Sequence, residues 1–243
     1  MSRKLLLIFL IATLESCRVP APSITQTPQP LPEFPYDVYR PAPGAFVYKI
    51  DSEHSRVDII VRRGGALARF GHDHVVSAKD MAGYVLLAPH DFKASRADLR
   101  IALDSLIVDN PDARKQYALD TQPSAADIEK TGENMQGKVL QTDHWPLAHL
   151  TIEITGGTED APLAQTTLYL HGEKRSFPIS FEITGLETAH LVVKGSFTMQ
   201  QSDYGMQPFS VLGGGLQVLD KVDVTYRMTA DRVDSPDPIP AGP

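Results

Sequence analysis

Short runs with apolar residues at every second position are spread through residues 45–230, and that period limits the chain's folds more than any other feature. Val57, Ile59 and Val61 alternate with Asp58, Ile60 and Arg62, and Leu99, Ile101 and Leu103 alternate with Asp98, Arg100 and Asp104. The rule continues through Leu150, Ile152 and Ile154, through Phe177, Ile179, Phe181 and Ile183, and through Leu191, Val193, Phe197 and Met199. It ends in the long run Val218, Val222, Val224, Tyr226 and Met228. A period of two puts each set on one face of a strand. One dry face and one wet face favour antiparallel pairing. Gly64-Gly65, Gly172 and Gly185 fall between runs, where turns need positive φ. One segment, residues 124–140, has helical spacing: Ser124 suits the N-cap, Asp127 the first turn, and Ile128, Met135 and Val139 share a side. A mainly β fold follows: an eight-stranded antiparallel barrel with one helical excursion, because closure removes exposed edges. A sandwich is the alternative. Asp51, Asp58 and Asp98 read as parts of a solvated outer face.

The ends of the chain have a different composition. Arg3 and Lys4 precede the apolar run 5–14, which is too short to span a bilayer core of about 30 Å as a helix and suits an export signal. Leu14-Glu15-Ser16-Cys17 resembles a bacterial lipobox, with Glu15 where a small or apolar residue is usual. The expectation is a signal peptide over 1–16, lipidation of Cys17 and attachment to a membrane through acyl chains. Arg18, where inner-membrane retention uses Asp, implies an outer-membrane lipoprotein facing the periplasm. Residues 17–44 are proline-rich and read as an extended tether, with a short docking strand around 34–39 as the rival. Residues 231–243 read as a loose tail.

Net charge is −7, which disfavours a nucleic-acid partner held by phosphate contacts. The single cysteine excludes an intrachain disulfide. No nucleophile elbow, H-E-x-x-H helix or P-loop is present, so no cofactor is implied and the chain is expected to be non-enzymatic. Phe70-Gly71-His72-Asp73-His74 is the most chemically suggestive stretch. On a strand, His72 and His74 would share a face. They could contact a ligand headgroup, start a metal site, which usually needs a third or fourth ligand, or simply hydrogen-bond backbone or solvent beside a glycine bend. The alternative function is therefore a metal-binding protein or metal-dependent enzyme centred on His72 and His74.

Four stretches together resemble the YceI-like family of bacterial envelope proteins. They are Tyr48-Lys49-Ile50-Asp51-Ser52-Glu53-His54-Ser55; Asp143-His144-Trp145-Pro146-Leu147-Ala148-His149-Leu150; the hairpin from Leu168 through His171-Gly172 to Ile179; and Gln201-Ser202-Asp203-Tyr204-Gly205-Met206, followed by Asp220. The resemblance spans about residues 46–230. It implies a lipocalin-like barrel that binds a polyisoprenoid or another long amphiphile inside. Val57, Ile59, Phe70, Leu99, Ile101, Ile152, Phe181, Val193, Phe197 and Tyr226 are then the candidate lining residues, with His72 and His74 near the mouth. Alternation alone does not separate a hollow barrel from a filled one.

Overall fold

The structure is a computed structural model describing residues 31–40, 43–159 and 161–239. The expected export signal and Cys17 lie outside the described residues. Among the described residues eleven strands form one sheet: β1 (Phe46–Gly64), β2 (His74–Ala78), β3 (Met81–Leu87), β4 (Arg96–Ala102), β5 (Ile107–Val108), β6 (Leu147–Gly157), β7 (Pro162–Leu170), β8 (Glu173–Thr184), β9 (His190–Gln200), β10 (Ser210–Val211) and β11 (Leu216–Val233). Neighbours run β11-β9-β8-β7-β6-β4-β3-β1, all antiparallel, and β11 pairs again with β1. The result is a closed eight-stranded barrel with β2, β5 and β10 as extra strands. The sandwich alternative is therefore excluded.

β1 bends to serve two neighbours. Its start pairs with β3 (Phe46↔Leu87) and its later half with β2 (Val57↔Ala78). Ser52 Oγ spans the β2–β3 junction, donating to the Lys79 carbonyl (2.8 Å) and accepting from the Met81 amide (3.1 Å).

The helical expectation holds closely. Ser124 caps helix α2 (Ala125–Asn134), α1 being the short helix Pro111–Gln116, and Ser124 and Asp127 form a reciprocal capping box. α2 continues as a π-helical turn over Met135–Leu140 and stops at Gln141, φ 50°. α1 was not anticipated, although Asn110 before Pro111 is a recognisable start signal: the Asn110 side chain accepts from the Asp112 and Ala113 amides. Among the described residues no helix is long and apolar enough to cross a membrane.

The family-like stretches turn out to be junction devices. Asp51 accepts from the Glu53 and His54 amides and meets His54 Nδ1 at 2.6 Å, fixing the irregular part of β1. His171 (φ 52°) and Gly172 (φ 77°) form the tight turn between β7 and β8, and the Trp145 ring occupies the space a Gly172 side chain would need. His171 Nδ1 lies 3.1 Å from the Tyr204 carbonyl. The Ser202 amide and hydroxyl donate to Asp220.

The outer face departs from expectation. Asp58 and Asp98 do point outward, but they are 1% and 0% exposed rather than solvated. Asp98 lies beneath residues 33–40, which are not an open tether: Phe34 and Tyr39 are buried against Val47, Tyr84 and Ile239. Tyr39–OH donates to Asp98 Oδ2 (2.7 Å), Arg96 Nε to the same oxygen (2.6 Å) and Thr151–OH to Oδ1 (2.5 Å). Asp58 sits under the α1 region, taking Ser77–OH (2.5 Å), Tyr117–OH (3.0 Å) and Arg56 Nε (2.5 Å). A buried carboxylate is tolerable only with such a full set of donors.

The tail reading is corrected as well. β11 runs on to Val233, Ile239 is buried, and the Asp237 and Ile239 backbones exchange hydrogen bonds with the Tyr84 and Tyr36 hydroxyls. Proline spacing does not reveal that both terminal segments carry side chains matched to the barrel's outside.

Burial raises the Asp98 carboxyl, but donors from His149, Arg96, Thr151 and Tyr39 outweigh it and hold the group at about 2. The same burial, together with the Asp98 charge, drives the Tyr39 phenol upward. Because the native carboxyl is the stronger acid, its stabilisation is complete above about pH 4 and fades as pH falls toward 2. Asp98→Ala is expected to cost about 3 kcal/mol in denaturant unfolding at pH 7, by stranding Arg96 and Tyr39. The wild-type advantage should shrink in the same measurement as pH is lowered from about 4 to about 2. A variant as stable as wild type at pH 7 would contradict the clasp.

Candidate functional site

The inward sets of the barrel strands do not fill the space between them. A cavity of about 270 Å³ remains, near the lower end of the roughly 300–1,000 Å³ typical of small-molecule sites. Val57, Ile59, Leu99, Ile101, Ile152, Phe181, Val193, Phe197 and Tyr226 all line it, where the period of two puts them. The wall also includes residues that sequence reasoning did not nominate as lining. Val222 and Val224 belong to a run recognised as a strand, and Met135, Val139 and Leu140 come from the helical excursion. Antiparallel order places the β4–β6 connection, which carries α2 and the π-turn, at the same end of the barrel as the segment after β9. Leu103, Leu106, Leu140 and Met206 wall the cavity there.

Polar side chains on the wall are few. Ser95 Oγ accepts from the Ala88 amide (3.0 Å), and Gln201 Nε2 donates to the Leu219 carbonyl (3.0 Å). Arg96 and Asp98 belong to wall strand β4, but they pair with each other on its outer side. Thr166 Oγ1 and Tyr226 Oη are buried and have no hydrogen-bond partner among the described residues. Apolar surroundings push the Tyr226 phenol up to about 12. Its ring lies across Gly195, its register partner on β9, so close that a side chain at that position would meet the hydroxyl.

Phe70, His72 and His74 do not line the cavity. β2 begins only at His74. Phe70 ends a short 3-10 turn, Ala68–Phe70, is 66% exposed, and has the Arg69 guanidinium 4.5 Å from its ring centre. His74 Nδ1 sits 2.6 Å from Asp109 Oδ2, and the other Asp109 oxygen takes Arg114 (2.6 Å) and the Val75 amide (3.1 Å). Burial raises Asp109, and the His74 hydrogen bond leads the contacts that bring it below the ordinary carboxylate range. Asp73 is held by Arg62 (2.9 Å) and the Arg63 amide (2.9 Å). His72 and His74 meet edge to face at 6.1 Å, and among the described residues no third His, Cys, Asp or Glu joins them as a metal-holding group. The stretch anchors a barrel corner. The motif reading missed this because Asp109 and Arg114 come from a distant connection.

Three comparisons bear on this geometry. A family model described as the YceI-like domain matches residues 48–230. No curated protein matches significantly. Among solved structures, BcnA of Burkholderia cenocepacia superposes with a TM-score of 0.56 at 12% identity, covering 74% of this chain and 98% of its own. A polyisoprenoid binding domain from Saccharophagus degradans, implicated in plant cell wall breakdown, superposes with a TM-score of 0.52 at 14% identity, covering 77% of this chain and 99% of its own. At such identities the likeness concerns the fold: a barrel of the same kind. Because the family model covers residues 48–230, all but the outermost residues of β1 and β11, the chain belongs to the YceI-like domain family.

Proposed function

We propose that this protein binds one long-chain apolar or amphiphilic molecule, an isoprenoid or related lipid, within its barrel, without transforming it. The observation that carries this reading is the closed tube with an unfilled, almost wholly apolar interior of about 270 Å³. An apolar void of about 150 Å³ already takes up benzene. A guest burying ten methylenes would gain on the order of 8 kcal/mol of gross transfer energy, against which the costs of ordering and association are set. The polyisoprenoid-binding description of the Saccharophagus domain supports an isoprenoid as the guest class. The charge of −7 argues against nucleic acid as a partner.

The setting we propose is the bacterial envelope. Its support is the apolar run 5–14, the Cys17 context and the proline-rich segment that follows. A lipidated Cys17 would hold the barrel at the periplasmic face of the outer membrane, beside a reservoir of the proposed guests.

Two outcomes test these parts separately. Ile152→Trp places an indole into the cavity. It should lower affinity for a long-chain isoprenoid at least tenfold while changing unfolding free energy by less than about 1 kcal/mol, because the added volume enters empty space. A filled core would instead lose about 1–3 kcal/mol through overpacking, and that result, or unchanged binding, would count against the reading. Cys17→Ser should abolish radiolabelled palmitate incorporation and move the protein from the membrane to the soluble fraction. Continued labelling of the variant would remove the anchor proposal and leave the cavity reading intact.

A further inference from the structure

The two unpartnered hydroxyls say more about the guest than the apolar wall does. Thr166 occupies an inward position on β7 between Ala164 and Leu168 and is 1% exposed. A valine there would have the same shape and no polar atom. Its register partner on β8 is Phe177, whose ring lies 5.1 Å from Phe197, which in turn lies 6.4 Å from Tyr226. Thr166 and Tyr226 therefore flank an aromatic band running around the wall through β8 and β9, with the Tyr226 hydroxyl reaching over Gly195 of β9. Tyr226 is held in place by the missing side chain of Gly195. A buried hydroxyl without a partner is destabilising. Two of them in one apolar cavity indicate that their partner arrives with the ligand.

On the reading that the cavity takes up an apolar chain, we infer that Tyr226 and Thr166 are ligand-binding residues that select a guest carrying a neutral oxygen, such as an isoprenoid alcohol, ether or carbonyl compound. Each hydroxyl both donates and accepts, so it can meet any of these groups. A phosphate ester fits poorly. Among the described residues, Arg96 and Asp98 are the only charged residues of the cavity lining, and they pair with each other on the outer side, so the lining offers no unpaired positive charge to offset a buried anion. The polar contact is thus placed on the barrel wall rather than at His72 and His74.

The test uses the full-length protein with three probes: geranylgeraniol, the hydrocarbon of the same skeleton, and geranylgeranyl diphosphate. Binding is followed by displacement of a fluorescent fatty probe. Wild type should prefer the alcohol to the hydrocarbon by about fivefold to tenfold, the effect of a satisfied neutral hydrogen bond. Tyr226→Phe with Thr166→Val should erase that preference without changing hydrocarbon affinity. The double variant should melt no lower than wild type, since it removes buried groups that lack partners, whereas hydroxyls with a structural role would lower the melting temperature. Equal wild-type affinity for alcohol and hydrocarbon, an alcohol preference that survives the double substitution, or tighter binding of the diphosphate would each overturn the inference and leave the cavity reading standing. Failure of all three probes to bind wild type would remove both.

Discussion

The pairing of β1 with β11 is the constraint on which the rest of the structure depends. It runs in antiparallel register from Val47↔Val233 to Gly64↔Gln217 and joins the first strand of the domain to the last. Without it the sheet has two long edges and its inward residues have no enclosed space to face. With it, side-chain direction is fixed around a complete turn, and eight strands set a diameter at which side chains of ordinary size need not meet in the middle. The cavity is thus a property of closure and strand number before it is a property of any single residue.

Closure also shifts polarity in an unusual direction. Inward residues such as Ile59, Ile152, Phe181 and Val193 retain accessible surface, while the outward carboxylates Asp58 and Asp98 retain almost none. The outside is covered by the segment before β1, by the α1 region and by the residues after β11, each bringing a tyrosine or a buried apolar side chain against the sheet. The donors that converge on Asp98 make that cover specific, because a carboxylate at 0% exposure cannot be left half-satisfied. Buried contacts are thus concentrated in the wall and its outer clasps, and the centre stays open.

Six of the eight wall strands (β1, β4, β6, β8, β9 and β11) were legible in the sequence because period two is a local signal, whereas β3 and β7, with Gly83 and with Thr166 among their inward positions, gave no such run. Ser124 and Asp127 announced the helix for the same reason. What lies over the wall was not legible: nothing near Asp98 in the chain tells that Tyr39 will cover it from some sixty positions away. The histidine pair misled because Asp109, Arg114 and the Arg62–Arg63 corner, which occupy its surroundings, come from elsewhere in the chain. Phe70 looked like a strand residue until the turn Ala68–Phe70 rotated it to the surface. Thr166 escaped notice because a hydroxyl on an inward position breaks the apolar pattern. Such a local inconsistency often marks a functional position.

Native mass spectrometry of the full-length protein purified from its own host, with lipid extraction of the same sample, tests the central claim most directly. The account predicts a non-covalent adduct of one apolar or amphiphilic molecule per chain that is released when the barrel is unfolded. Repeated preparations showing only the empty chain, and remaining empty after incubation with long-chain isoprenoids, would contradict it.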